Sequence, residues 1–296
     1  MKPIVFKGCG TAIVTPFTND NKINFPVFEK MIENQIKNKC DAIIVCGTTG
    51  ESATLTDAER KELIKFTVQK VNGRVPVIAG TGSNNTAYAI ELTKYAESVG
   101  ASACLVVTPY YNKTTQTGLI KHYQEIASST KLPIILYNVP SRTGVNILPE
   151  TCLELSKVKN IVAIKDACGN ISQIAKTKFL CQDNLQIYSG NDDQIIPILS
   201  IGGIGVISVL SNIVPNFTHL ICSYYFNRYT KEACEMQLNA MPLINALFCE
   251  VNPAPVKYAF NLMGYNCGIP RLPLIEPCEA NKKLIRTELQ KFQLIS

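Results

Sequence analysis

The sequence predicts a (β/α)8 barrel of the TIM-barrel class of α/β folds, and three observations lead to this prediction. Short apolar runs recur eight times, at residues 11–14, 42–46, 75–79, 103–107, 134–137, 161–164, 185–188 and 205–209. Most neighbouring runs are separated by one helical pattern, so the units repeat at intervals of roughly 20 to 35 residues. A doubly wound open sheet normally has a glycine fingerprint after its first strand, whereas this chain has Thr15-Pro16-Phe17 there.

The helices between these strands have recognisable first turns. Thr56-Asp57-Ala58-Glu59 is a capping box, which indicates a helix start. Asn84 or Asn85 can cap the next helix, and Pro149 suits the first turn of a later one. Each of these helices therefore follows a predicted strand, as a barrel requires.

After the eighth unit, helical segments continue to the C-terminus without further strands. We therefore divide the chain into a barrel with the catalytic site, residues 1–229, and a C-terminal helical appendage, residues 230–296. The uncharged stretch 195–214 has the hydropathy of a membrane span. Pro197 and the glycines at 202, 203 and 205 divide it into a helix, a turn and a strand, so we expect no membrane association.

Composition excludes several classes of function. The 296 residues are 46% hydrophobic and carry a net charge of +6, but the basic residues are scattered, which argues against a nucleic-acid partner. The twelve cysteines contain no CxxC pair, a pattern that favours a reduced, cytoplasmic protein. The two histidines are far apart, so we expect no metal site and no cofactor.

The apolar run 161–164 ends in Lys165, at the strand end where barrels collect catalytic groups. Burial there disfavours the charged form of the amine, and a neutral amine attacks carbonyl groups. Tyr137 lies on the adjacent strand, either as a general acid and base or as a core aromatic residue. The hydroxyls of Thr48 and Thr49 and the guanidinium of Arg142 can bind carboxylates. Together these groups fit Schiff-base chemistry on a 2-oxo acid, although Lys165 could also simply reach into solvent.

Several motifs resemble the dihydrodipicolinate synthase (4-hydroxy-tetrahydrodipicolinate synthase) family of class I pyruvate-dependent aldolases. They follow the family's order along essentially the whole chain: Gly47-Thr48-Thr49-Gly50-Glu51-Ser52, Pro109-Tyr110-Tyr111-Asn112, Tyr137-Asn138-Val139-Pro140-Ser141-Arg142-Thr143-Gly144, Ile164-Lys165-Asp166, Pro255-Val256-Lys257 and Arg271-Leu272-Pro273. The resemblance implies a lyase that condenses pyruvate with L-aspartate 4-semialdehyde in diaminopimelate and lysine biosynthesis. It also implies a homotetramer built as a dimer of dimers.

The resemblance assigns a role to each matching residue. Lys165 would form the imine with pyruvate. The proton relay would consist of Tyr137, Thr48 and Tyr111, the last contributed by the neighbouring subunit. Thr48 and Thr49 would bind the carboxylate of pyruvate, and Arg142 that of the semialdehyde. Gly190 and Ile207 match positions that line the pocket with backbone groups.

Other interpretations remain open at this stage. N-acetylneuraminate lyases resemble the chain at Lys165 and Tyr137, but typically have Ser-Thr at Thr48-Thr49 and lack the arginine of Arg142. A non-catalytic protein that binds 2-oxo acids is a further alternative.

The resemblance also covers a possible allosteric site. Feedback-inhibited members bind lysine at a dimer interface, and Ser52, Asn84 and Tyr110 match that site. By this resemblance, Tyr88, Asp57 and Arg60 stand where those members have a glutamate and histidines. This sequence therefore predicts weak or absent inhibition by lysine.

Overall fold

The computed structural model describes residues 2–296 and contains a closed barrel of eight parallel strands. Each strand pairs with its sequence neighbours, and β1 pairs with β8 to close the barrel. The predicted fold class is thus confirmed, and the alternative of an open sheet is wrong. The strands are β1 Gly8–Ala12, β2 Ala42–Val45, β3 Val77–Gly80, β4 Ala103–Val107, β5 Ile134–Asn138, β6 Ile161–Asp166, β7 Gln186–Ser189 and β8 Gly205–Ser208.

Twelve α-helices lie within the described residues, and their starts agree with the capping signals of the sequence. The predicted capping box is present, since Thr56 and Glu59 each accept a hydrogen bond from the other's backbone N–H. The side chain of Asn85, not Asn84, caps α3. The helices are α1 Phe25–Lys37, α2 Asp57–Val71, α3 Thr86–Ser98, α4 Gln116–Ser128, α5 Pro140–Thr143, α6 Pro149–Ser156, α7 Ile171–Cys181, α8 Ile195–Ser200, α9 Pro215–Phe226, α10 Thr230–Leu247, α11 Ala254–Leu262 and α12 Glu279–Lys291.

Strand β1 begins three residues earlier than its apolar pattern suggests, because glycines interrupt that pattern. Gly10 has room only for a hydrogen atom: a Cβ there would lie 2.7 Å from the Phe6 ring. Phe6 in turn stacks on Tyr188 inside the barrel, with ring centroids 4.3 Å apart. The glycine in the strand therefore makes space for the aromatic pair that fills the N-terminal end of the barrel.

The barrel strands are buried on both faces, which explains their continuous apolar runs. One hydrophobic cluster fills the interior of the barrel, and a larger one lies between the strands and the surrounding helices. The stretch 195–214 forms α8, a turn and β8, as Pro197 and the glycines predicted, followed by a short 3-10 helix. No helix among residues 2–296 has the length and hydropathy needed to cross a membrane.

The C-terminal helices pack on the barrel and on one another. Helix α10 contacts α9, and α12 contacts both α10 and α11. The division of the chain at residues 229 and 230 stays a prediction. The position of these helices matters for the site, because the loops around α11 reach the carboxyl ends of the strands.

We expect the stability of the protein to fall as the pH drops from about 6.5 to about 4, in part because of His122. Burial lowers the pKa of His122 from 6.5 to about 4. Between these values the unfolded chain binds a proton at this position that the folded chain does not, so acid favours unfolding. In His122→Gln, urea midpoints measured across this pH range should fall less than in the wild type. If the urea midpoint depends on pH equally in the wild type and in His122→Gln, His122 does not contribute to the loss of stability in acid.

Candidate active site

Lys165 lies near the carboxyl end of β6, with its side chain inside the protein. The residue is 6% exposed, so it does not extend into solvent. Tyr137 is its register partner on β5, and the Lys165 Nζ lies 4.3 Å from the centroid of the Tyr137 ring. The structure therefore brings together the predicted amine and the predicted tyrosine, through the parallel pairing of two neighbouring strands.

The threonine loop follows β2 as a tight turn. The N–H of Gly50 donates to the carbonyl of Gly47 over 3.1 Å, and the N–H of Glu51 donates to that of Thr48 over 3.0 Å. Gly80 allows this turn to approach β3, since a Cβ there would lie 2.1 Å from the carbonyl oxygen of Cys46. The turn leaves Thr48 half-buried and Thr49 buried, at the same end of the barrel as Lys165.

A buried ion pair connects the threonine loop to the C-terminal segment. The Lys257 Nζ lies 2.6 Å from Glu51 Oε1, and both side chains are 1% exposed. The second oxygen of Glu51 accepts the backbone N–H of Arg271. Glu51 has a φ of 55°, a left-handed conformation that non-glycine residues adopt at a cost of roughly 1–3 kcal/mol. The ion pair with Lys257 offsets the cost of this backbone conformation and fixes the position of Glu51, the last residue of the turn.

Asn252 contacts two of the predicted carboxylate-binding residues. Its Nδ2 donates to Thr49 Oγ1 over 3.0 Å, and its carbonyl oxygen accepts from Arg142 Nη2 over 3.2 Å. Sequence reasoning missed Asn252, because it comes from the loop before α11 and matches no motif that was recognised. Asn252 thus orients Thr49 of the threonine loop and Arg142 of α5 relative to each other.

One cavity of about 300 Å³ brings several predicted residues together, and its lining includes Thr48, Ser52, Tyr110, Arg142 and Asn252. Asn84 instead lines a separate cavity of about 310 Å³ that also contains His122. Another cavity, of about 740 Å³, is lined by residues between Phe17 and Leu272 and includes none of the predicted site residues. The 300 Å³ cavity is therefore shared by Thr48, Arg142 and part of the predicted allosteric site, whereas Lys165, Tyr137 and Thr49 do not line it.

Ile207 and Gly190, which were predicted to line the pocket with backbone groups, lie in different surroundings. Ile207 lies in β8 and is 1% exposed. Gly190 follows β7, and its N–H donates to the carbonyl of Asp166 over 2.7 Å. The N–H of Gly190 is therefore already used within the backbone.

Tyr111 does not line the shared cavity. The residue is 92% exposed, and its φ of 68° is a left-handed value that a tyrosine seldom adopts. An aromatic ring so fully exposed on a strained loop has nothing to pack against within this chain. The structure thus does not bring Tyr111 to Lys165 of the same subunit.

The residues after Lys165 support the strand end and do not add a reactive thiol. Asp166 is buried and accepts the backbone N–H of Cys168 over 2.9 Å, and burial raises the pKa of its carboxyl. Burial and the nearby Asp166 carboxyl raise the pKa of Cys168 to about 12. At neutral pH Cys168 is a protonated thiol, in agreement with a packing role.

Known proteins resemble this chain over nearly its full length. A family model, described as the dihydrodipicolinate synthetase family, matches residues 5–292. The 4-hydroxy-tetrahydrodipicolinate synthase of Clostridium tetani is 57% identical over 292 residues, covering 98% of this chain and 99% of the relative. The 4-hydroxy-tetrahydrodipicolinate synthase 1 of Clostridium acetobutylicum is 55% identical, with 98% and 99% coverage. The crystal structure of dihydrodipicolinate synthase from Thermotoga maritima superposes with a TM-score of 0.96 at 44% identity, covering 99% of this chain and 100% of that one.

Replacing Lys257 by methionine should destabilise the protein by about 3–5 kcal/mol, because it leaves the buried Glu51 carboxylate without its cation. The double variant Glu51→Gln/Lys257→Met should lose clearly less stability than Lys257→Met, since no buried charge then remains at this position. The free energy of unfolding in urea measures both effects. Equal losses in the single and double variants would show that the charge of Glu51 does not require Lys257.

Proposed function

The chain belongs to the dihydrodipicolinate synthetase family, and on this basis we propose that Lys165 is the amine that forms a Schiff base with pyruvate. The chain is a lyase that condenses pyruvate with L-aspartate 4-semialdehyde to 4-hydroxy-tetrahydrodipicolinate, in diaminopimelate and lysine biosynthesis. The observation that carries the assignment of Lys165 is its burial at the carboxyl end of β6, against the ring of Tyr137. An amine held in this way at the strand end is positioned to attack the carbonyl carbon of a bound 2-oxo acid.

In the first half-reaction, the Lys165 Nζ adds to C2 of pyruvate, and loss of water gives the imine. The proton that leaves the nitrogen and the protons that convert the C2 oxygen into water must pass through nearby groups. The hydroxyls of Tyr137 and Thr48 are the proposed carriers, because both lie at the same end of the barrel as the amine. Thr49 orients the carboxylate of pyruvate, and its own hydroxyl is oriented by Asn252.

In the second half-reaction, the imine loses a proton from C3 and becomes an enamine, whose C3 attacks the aldehyde carbon of the semialdehyde. The amino group of the semialdehyde then attacks C2, closes the ring and releases Lys165. We assign the carboxylate of the semialdehyde to Arg142, which lines the 300 Å³ cavity and is exposed. The backbone of Asn252 holds this guanidinium over 3.2 Å, so one residue supports the binding groups for both substrates.

We further propose that Tyr111 completes the relay of a neighbouring subunit. Its full exposure and its strained backbone are consistent with a ring that is held for insertion into another chain. The homo-oligomer that this requires is proposed to be a dimer of dimers. We also place the enzyme in the cytoplasm, which its twelve unpaired cysteines support.

Weak or absent inhibition by lysine remains part of the proposal. The hydroxyl of Tyr88 donates to the carboxylate of Asp57, so this carboxylate is already engaged. Asp57 also pairs with Lys61, whose Nζ lies 3.1 Å away. The guanidinium of Arg60 lies 5.6 Å from the centroid of the Tyr88 ring, and it would repel the ammonium groups of a bound lysine.

Lys165→Ala should fold as the wild type does and lose condensation activity by several orders of magnitude, because no other group can form the imine. Reduction with borohydride in the presence of pyruvate should add mass to the wild type and not to this variant. Lys159→Ala provides a control, since it removes an exposed lysine shortly before β6 and leaves the amine of Lys165 and its surroundings in place. A trapped adduct in Lys165→Ala would contradict the assignment.

Tyr111 can be tested by mixing subunits. Tyr111→Phe and Lys165→Ala should each be nearly inactive, but their hybrid contains one site with both functional groups if Tyr111 acts across the interface. Random assembly makes half of the dimers hybrids, so co-refolded subunits should regain roughly a quarter of the wild-type activity. Activity no higher than that of Tyr111→Phe alone would place Tyr111 in its own subunit or outside the reaction.

A further inference from the structure

Arg60 is a buried cation with no carboxylate in direct contact. The nearby Asp57, whose pKa is lowered by a hydrogen bond from Tyr88, by Lys61 and by Arg60, is shared among these three groups. Arg60 is 7% exposed, and it forms no ion pair with a carboxylate anywhere in residues 2–296. Its Nη2 donates to the carbonyl of Gly80 over 3.1 Å, whereas its buried Nε has no hydrogen-bond partner. A charge removed from water without a counter-ion is costly, so a guanidinium in this position should bind an anion when one is available.

The surroundings of Arg60 strengthen this requirement. Arg60 lines the cavity of about 300 Å³, together with Arg142 and Glu51. The carboxylate of Glu51 is already taken, because one oxygen pairs with Lys257 and the other accepts the N–H of Arg271. Two guanidinium groups thus face the same cavity, and the one carboxylate in its described lining is neutralised.

The remaining lining combines apolar side chains, such as Val107, Val139 and Leu274, with a few hydroxyl groups. The hydroxyls of Thr48 and Ser52 lie on it with the two arginines, whereas that of Thr54 already donates to the carbonyl of Glu51. Hydroxyls donate hydrogen bonds to carboxylate and oxyanion oxygens, and a guanidinium offers several donors in one plane. Positive charge and donors therefore lie on the same walls.

We propose that Arg60 is the centre of a binding site for a small anion, a carboxylate or an inorganic oxyanion, within this cavity. Lys165 does not line the cavity, whereas Arg142 and Thr48 do. The consequence for catalysis rests on the proposed function, in which Arg142 binds the carboxylate of the semialdehyde. An anion at Arg60 should therefore oppose binding of the semialdehyde.

Sulfate is the probe for the inorganic case and succinate for the carboxylate case, each titrated into the wild-type oligomer by calorimetry at constant ionic strength. We expect saturable binding of at least one of them. In Arg60→Gln, whose amide can still donate to the Gly80 carbonyl, affinity should fall at least tenfold. Arg60→Lys keeps the positive charge, so its affinity for the anion should lie between those of the wild type and Arg60→Gln. Arg142→Gln should retain a binding event, which separates the new site from the proposed substrate arginine.

Steady-state kinetics and crystallography provide independent measurements. The bound anion should raise the KM for the semialdehyde in the wild type and do so much less in Arg60→Gln. L-Lysine, a cation, should neither bind there nor displace the anion. Anomalous scattering from selenate soaked into wild-type crystals should place the anion beside Arg60, a result that does not depend on any variant folding.

Three outcomes would overturn the proposal. The first is the absence of saturable anion binding by the wild-type protein. The second is equal affinity in the wild type and Arg60→Gln. The third is anion binding that is lost in Arg142→Gln but kept in Arg60→Gln, together with selenate found beside Arg142 and not beside Arg60 in the wild-type crystals. In each case Arg60 would be a structural support for the Gly80 carbonyl and not a ligand-binding group.

Discussion

The site depends on the buried ion pair between Glu51 and Lys257. Two side chains that are each 1% exposed can coexist as charges only if they stay together and their remaining polar atoms are paired. Lys257 also donates to the carbonyl of Ile269, and Glu51 accepts from the backbone of Arg271. The separation of 2.6 Å therefore sets the position of the threonine loop relative to the C-terminal segment. This is a constraint on geometry more than a large source of stability.

Local patterns in the sequence were sufficient for the barrel and for its central residues. Eight apolar runs predicted eight strands, and the parallel register then placed Tyr137 beside Lys165. Strand β1 was harder to delimit, because the glycine that accommodates Phe6 removes the apolar signal from the strand. The fold could be predicted from periodicity because burial on both faces of a strand directly determines which residues it contains.

The groups that orient the site could not be found in the same way. Glu51 and Lys257 are separated by 206 positions, and Thr49 and Asn252 by 203. No local pattern reports such a contact, since it exists only once the chain is folded. Lys257 did offer one signal, a lysine within an otherwise apolar helical segment, but its partner could not be named. Arg60 was noted for its repulsion of lysine, whereas the absence of a counter-ion became visible only in three dimensions.

The contact between Asn252 and Thr49 also affects the order in which the protein matures. A ribosome delivers the barrel strands first, and residues 252–271 emerge after all eight of them. Until then the threonine loop has neither its cation nor the amide that orients Thr49. A chain that is released early therefore carries Lys165 in an unfinished site. We therefore expect catalytic competence only near the end of synthesis, once Asn252 and Lys257 can reach the threonine loop.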